Sequence, residues 1–295
     1  MDVPDAFWKF KSRLEISDRE ERDAIRRREV ICNELKGALE VDRDFLTGSY
    51  KRHTKTKPLK DVDIFVVMKN SERHYLQGKS DELLALVGGV LEPIYGSHRF
   101  SLGRHSVRID FGIKVVDDVS DGVMSFDVVP AFDHEDGGYC IPYTITGAWV
   151  RTDPKVHEKL ATQANEALDG KWKPVVKMLK KWNDHNGKPI KPSFLIEVMA
   201  IALLDGPFDS YPFDIRQFFS SAAETIGDDW PDPAGLGPPV NERLLTDAAL
   251  LADARSAVRA AESKCTAAMR NEAAGRTGAA LDTWQELFGP LFVKS

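Results

Sequence analysis

The chain has 295 residues, 42% of them hydrophobic and 29% charged, and a formal net charge of −6. Length and mix are those of an ordinary globular protein, large enough for two lobes around one cleft or for one large domain. The acidic balance excludes a surface built to coat nucleic acid nonspecifically, because neutralising phosphates takes a surplus of Lys and Arg; a local positive pocket for a small anionic substrate stays open.

The first 40 residues read as a helix along one side of the molecule. Ser17 and Asp18 offer N-cap chemistry, and Ile25, Val30, Ile31, Leu35 and Leu39 recur at helical spacing. Sheet signals follow. Asp61 to Met68 is an apolar strand opened by two acids. Ser106 to Val116 and Met124 to Val129 are two more, and the turn-rich residues 117–122 between them predict a hairpin. Ser80 to Leu91, between these strands, predicts a helix. Further on, Lys173 to Asn183 is amphipathic, and Pro192 to Leu204 is nearly all apolar and predicts a buried helix. Asp228 to Pro239, dense in Pro and Gly, is a loop. Asn241 to Ala274 is Ala-rich and helical, and a last helix carries Trp284, Leu287 and Phe288. The tail Phe292 to Ser295 is either a partner handle or a frayed end. The order predicts an α+β fold: an N-terminal helix and a mixed-sheet catalytic lobe over residues 1–145, then a helical lobe over residues 146–295.

Cys32, Cys140 and Cys265 share no metal-ligand spacing, which speaks against a zinc site or a disulfide framework and for a reducing compartment. The N-terminus has no apolar signal core, and no segment nears the roughly 20 apolar residues of a membrane helix. The expectation is a cytoplasmic protein with no membrane partner.

The chemistry is concentrated between Leu46 and Met68. Residues i and i+2 of a strand share a face, so Asp61 and Asp63 present two carboxylates side by side. Close like charges repel, and a divalent cation relieves that cost; hard oxygen ligands suit magnesium. About a dozen residues earlier, Gly48 lets the backbone approach a ligand, and the N–H groups that follow, with the Ser49 hydroxyl, can grip phosphate. Asp127 lies in an apolar strand, where a lone acid is costly unless paired or metal-bound. It is preferred over Asp110 as the third acid of a two-metal site. The basic run Lys51, Arg52, Lys55, Lys57 and Lys60 has the plain reading of a solvated loop.

Together, Gly48-Ser49, Asp61-x-Asp63 and Asp127 resemble the polymerase-β-type nucleotidyltransferase signature. Within that superfamily the chain is similar to the bacterial cGAS/DncV-like nucleotidyltransferases (CD-NTases), relatives of oligoadenylate synthetase. Lys180 in Leu179-Lys180-Lys181-Trp182, the run Pro192-Ser193-Phe194, and the closing Trp284-x-x-Leu287-Phe288-Gly289 resemble that branch. The resemblance covers about Phe45 to Phe292. It implies Mg2+ (two ions, with Mn2+ as a substitute) held by Asp61, Asp63 and Asp127. It also implies nucleotide contacts from Gly48, Ser49, Lys180, Ser193 and Phe194. The plain readings are a solvated helix face for Lys180 and Lys181, an N-cap for Ser193, and core for Phe194, Trp182 and Trp284. The implied reaction joins nucleoside triphosphates, ATP and/or GTP among them, into a cyclic di- or trinucleotide for antiphage signalling, under a regulatory protein partner whose identity is open. The related animal cyclic GMP–AMP synthase carries a His/Cys zinc insertion that has no counterpart here, so no nucleic-acid activator is expected. Base choice, linkage and ring size stay open. Transfer of one nucleotide to tRNA or a protein uses the same core, and an inactive nucleotide-binding scaffold would show a lost acid; all three acids are present.

Overall fold

In the computed structural model, which describes residues 1–113, 115–116, 119–120 and 122–294, the helical run at the start breaks once. Helix α1 spans Val3–Leu14 and α2 spans Asp18–Ala38. The break is a capping box. The Ser17 backbone N–H donates to Glu20 Oε2 at 2.8 Å, and the Glu20 N–H donates to Ser17 Oγ at 3.3 Å. Two otherwise orphaned donors are satisfied, and such a cap stabilises a helix by about 1 kcal/mol. Contacts divide the chain into two units, Ile16–Glu158 on the one hand and Met1–Glu15 with the residues from Lys159 onward on the other. Helix α1 belongs to the second unit and α2 to the first.

The first unit holds the sheet. Its strands are β1 (Val41–Thr47), β2 (Asp61–Met68), β3 (Phe100–Leu102), β4 (Val107–Asp110), β5 (Val115–Val116), β6 (Val119–Ser120), β7 (Ser125–Asp133), β8 (Tyr139–Tyr143) and β9 (Ala148–Thr152). A one-turn helix α3 (Gly48–Lys51) follows β1, and α4 (Ser80–Tyr95) follows β2. The strands of the main sheet run β1-β2-β7-β4-β3, and β8 and β9 extend it from the end of β7. β2 and β7 are parallel and the other pairs antiparallel, a mixed sheet as expected.

Strand alternation sorts the residues of β2. Val62, Ile64 and Val66 point one way and join Phe126, Val128, Val107 and Ile109 in a core covered by Ile31 and Leu35 of α2 and Leu84 and Val87 of α4. Phe65 and Val67 point the other way, into a smaller cluster with Val129, Ala131, Tyr139 and Ile141. Helix α4 lies close over the sheet because Gly88 has no side chain: a Cβ there would stand 2.7 Å from Phe100 Cζ.

Two strand expectations change. The strand expected from Ser106 to Val116 ends at Asp110, whose Oδ1 accepts the Gly112 N–H at 2.7 Å while Gly112 takes φ +65°. This side-chain turn draws the backbone out of the ladder. The two-stranded ribbon β5-β6 follows; of the expected turn, Asp117, Asp118 and Asp121 lie outside the described residues, as do Lys114 and Ser295. β4 and β7 do pair as an antiparallel hairpin, from Val107↔Val128 to Asp110↔Ser125. β7 runs on through Pro130, which falls in the gap between the ladder to β4, ending at Val128, and the ladder to β8, starting at Phe132. Its missing N–H breaks no bond on that side. Strands β1, β8 and β9 carry no clean apolar alternation and are legible only in the pairing.

The second unit is helical: α1, then α5 (Pro154–Ala167, which crosses the division), α6 (Trp172–His185), α7 (Phe194–Leu203), α8 (Tyr211–Thr225), α9 (Glu242–Thr246), α10 (Ala248–Ala273) and α11 (Thr277–Phe288). Its core is aromatic. Phe7 meets Trp284 and Phe292 edge to face at 5.0 and 5.1 Å, and Trp182 meets Phe219 at 4.6 Å. Such pairs are worth about 0.5–1.5 kcal/mol each beyond their area. Trp182 and Trp284 are therefore core. Phe292 is fully buried, which anchors the start of the tail. The loop at Asp228–Pro239 is pinned by buried Asn241, which accepts from the Trp230 N–H at 3.1 Å and donates to the Asp228 carbonyl at 2.7 Å. The described residues include no helix long and apolar enough to cross a membrane.

Candidate active site

Register places the acids. On the parallel β2-β7 pair, Asp61 lies opposite Ser125 and Asp63 opposite Asp127. β1 puts Thr47 opposite Asp63, and β4 puts Arg108 opposite Asp127 and Asp110 opposite Ser125. Residues directly opposite in a ladder share a face. One row across the sheet is thus Thr47, Asp63, Asp127, Arg108, and the next is Asp61, Ser125, Asp110. Along β2 this face changes from carboxylates at Asp61 and Asp63 to the apolar cluster at Phe65 and Val67. Asp110 shares the face but sits exposed at the end of β4, its carboxylate taken by Gly112.

The chain is fixed just before Asp61. The second carboxylate oxygen of fully buried Glu20 accepts the Leu59 N–H at 2.8 Å. The Leu59 carbonyl accepts from Met124 N–H at 3.1 Å, and the Lys60 carbonyl accepts the Ser125 N–H at 2.9 Å and its hydroxyl at 3.0 Å. The residue that caps α2 therefore also sets the entry of β2.

The acids face cations. Asp61 Oδ1 is ion-paired with Lys55 Nζ, and Lys55 is only 16% exposed. Asp127 accepts from the Ser106 hydroxyl and from Arg108 Nη1, both at 3.2 Å. Burial pushes the Asp127 carboxyl above the usual range, Arg108 pulls against that, and the Asp63 charge adds to the rise. The basic run is thus no uniformly solvated loop: Arg52 is buried and Lys55 turns inward.

Gly48 opens α3 at φ +65°, a left-handed conformation that suits glycine. A Cβ at this position would collide with the Asp63 carboxylate, so the bare backbone is what lets the strand end approach the acid. Ser49 follows, half-buried, and its carbonyl accepts the Thr54 N–H at 3.0 Å.

The donor set is hard oxygen on adjacent strands, with one carboxyl already destabilised in its charged form, and this suits a hard divalent ion. Among the described residues, no three His, Cys, Asp or Glu side chains converge as a formed metal cluster; Asp61 and Asp127 are turned to Lys55 and Arg108 instead.

In the helical unit, Lys180 is 7% exposed, and its Nζ lies 2.5 Å from Oε1 of Glu197, itself 1% exposed. Lys181 is also buried, at 4% exposed, so the reading of these lysines as a solvated face is corrected. Ser193 is exposed at the N-cap position of α7 but makes no side-chain cap bond, which sets aside its reading as a simple cap. Phe194 starts α7 half-buried. Sequence reasoning missed Lys55, Ser106, Arg108 and Glu20 as partners of the site, and Glu197 as the partner of Lys180. A lysine inside the segment between Gly48-Ser49 and Asp61-x-Asp63 was the one signal available.

Comparison with known proteins follows the same lines. Residues 1–165 match the family described as Second Messenger Oligonucleotide or Dinucleotide Synthetase domain. A probable cyclic nucleotide synthase of Bacillus cereus (strain VD146) is 25% identical over 280 residues, covering 83% of this chain and 80% of that protein. A cyclic AMP-AMP-AMP synthase of Acinetobacter sp. (strain ATCC 27244 / 9458) is 29% identical over 223 residues, covering 70% of this chain and 60% of that protein. In fold, CdnC of E. coli MS115-1 solved with ATP superposes with a TM-score of 0.74 at 19% identity, over 100% of this chain and 99% of that one. The same CdnC in its HORMA-deltaN complex gives 0.71 at 20%, over 100% and 99%.

Proposed function

The chain belongs to the Second Messenger Oligonucleotide or Dinucleotide Synthetase family, as a cGAS/DncV-like nucleotidyltransferase, and on that premise we propose that it joins nucleoside triphosphates into a cyclic di- or trinucleotide with release of pyrophosphate. The observation that carries the reading is the placement of Asp63 opposite Asp127 on parallel strands, with the Gly48 backbone against the Asp63 carboxylate. Asp61, Asp63 and Asp127 would hold two Mg2+ ions. Bound there, the ions supply charge neutralisation for the triphosphate and acidify the attacking hydroxyl.

The chain's own residues then position the reactants. The acceptor's 2′- or 3′-hydroxyl attacks the donor α-phosphate in line, and most of the barrier reduction comes from orientation and charge stabilisation. Gly48 and the Ser49 hydroxyl are the proposed phosphate grip. Lys180, Ser193 and Phe194 are the further proposed nucleotide-binding residues, with Glu197 holding the Lys180 ammonium. ATP is the first nucleotide to test, since one relative is a cyclic AMP-AMP-AMP synthase and the CdnC structure was solved with ATP. GTP is the second. A regulatory protein of the HORMA kind is the proposed partner, with the CdnC complex in its support, and antiphage signalling is the proposed setting.

The test is mass spectrometry of products formed from the four nucleoside triphosphates and magnesium, after phosphatase treatment. A resistant species at the mass of a cyclic di- or trinucleotide is expected. If folded, metal-loaded protein makes none, alone or with its regulatory partner, but labels tRNA or a protein, the reading fails in favour of a macromolecular acceptor.

A further inference from the structure

Lys55 is used by none of the steps above. It lies in a loop of basic residues, where a lysine ordinarily carries its ammonium out to water. Instead its side chain is 16% exposed, its Nζ is ion-paired with Asp61 Oδ1, and its charge also bears on Asp127. The loop is tethered on both sides of it. The Thr54 N–H and hydroxyl both donate to the Ser49 carbonyl, at 3.0 and 3.4 Å, and the Leu59 N–H donates to Glu20. The stem of Lys55 thus starts from backbone that other bonds hold in place.

An ammonium and a divalent ion draw on the same carboxylate oxygens. An Asp61 lone pair that accepts an N–H is withheld from a metal, and each cation weakens the attraction of the other by like-charge repulsion. Resting on the reading of Asp61 as a metal ligand, we propose that Lys55 is a positioning residue that competes with the divalent ion for Asp61 and so sets the ion concentration at which the acids load. The competition keeps Asp61 neutralised at low ion concentration and shifts its loading to higher ion concentration than a bare acid would need. Lysine suits the role better than arginine, because its compact ammonium makes a single-point contact that one ion can displace, whereas a guanidinium grips both carboxylate oxygens.

The experiment is a titration of Mn2+ into the purified full chain without nucleotide, read by the electron paramagnetic resonance of free Mn2+ and by calorimetry. Lys55→Met, which keeps the apolar stem, is expected to lower the Kd for Mn2+ about two- to fivefold, the scale on which a part-exposed ion pair contributes. Lys55→Arg is expected to bind no more tightly than the native chain. An unchanged or raised Kd in Lys55→Met, with native circular dichroism, overturns the inference. So does tighter binding by both variants, since the effect would then come from packing rather than charge. Asp61→Asn in the same titration separates the two claims. If it leaves Mn2+ binding as in the native chain, Asp61 is no ligand and the underlying reading fails. If it weakens binding while Lys55→Met changes nothing, only the role of Lys55 falls.

Discussion

Replacing Gly48 by alanine tests the junction of β1, α3 and Asp63 in one step. At φ +65° an L-residue costs about 1–2 kcal/mol relative to glycine. The new Cβ must also displace the Asp63 carboxylate or the backbone beside it, and overpacking of this kind costs about 1–3 kcal/mol. Against both stands the reduced freedom of the unfolded chain, worth about 0.4–1 kcal/mol in favour of alanine. The net loss is about 1–5 kcal/mol, centred near 3. For a unit of this size the central value lowers Tm by roughly 6–10 °C. Scanning calorimetry reads the stability, and pyrophosphate release under matched conditions reads the activity, which is expected to fall more than about a hundredfold because the phosphate grip and Asp63 move together. A double-mutant cycle isolates the contact. In an Asp63→Ala background the collision partner is gone, so Gly48→Ala should cost about 1–2 kcal/mol less than in the native chain. If Gly48→Ala costs under about 0.5 kcal/mol, or costs the same with and without the Asp63 carboxylate, the close approach does not exist in solution.

Asp127→Asn is expected to abolish pyrophosphate release to more than about a hundredfold while raising Tm at pH 7.5, because the buried carboxylate costs stability in its charged form. Its folded pKa lies above the unfolded value of 3.8, so the cost sets in as pH rises through that window and the Tm gain should vanish toward pH 4; a variant less stable than the native chain at pH 7.5 would contradict this. In the helical unit, burial pushes Asp214 of α8 up to about 6, and its buried Oδ2 has no hydrogen-bond partner among the described residues. The folded state therefore holds that proton more tightly than the unfolded one. Stability should fall by about 2 kcal/mol as pH rises from 4 to 7, and Asp214→Asn should remove that slope in urea unfolding; an unaltered slope would show that the carboxyl is solvated.

Local chemistry was legible wherever a short repeat carried it. The alternation that opens β2 puts Asp61 and Asp63 on one face and Val62 and Ile64 on the other without any knowledge of the neighbouring strands, because successive side chains of a strand must point to opposite sides. The helices α6, α7 and α11 were readable from apolar spacing in the same way, and the Ser17 cap from its own residue type. What lies beyond the reach of a repeat came only with the tertiary structure. Asp110 and Asp127 are both acids in short apolar strands, and the sequence prefers Asp127 without showing what stands opposite either. The parallel pairing of β2 with β7 sets Asp127 opposite Asp63, and the Gly112 turn ends β4 at Asp110. Lys55 and Lys180 look like solvated lysines in sequence, yet one turns in to Asp61 and the other is buried against Glu197. The placement of α1 with the helical unit rests on Phe7 and Phe10 meeting Phe288 and Phe292, residues from the opposite end of the chain. Periodicity reports which way a side chain points along its own element. Register, ion pairing and burial depend on which distant segment arrives opposite it, and that is decided when the chain closes its long-range contacts together.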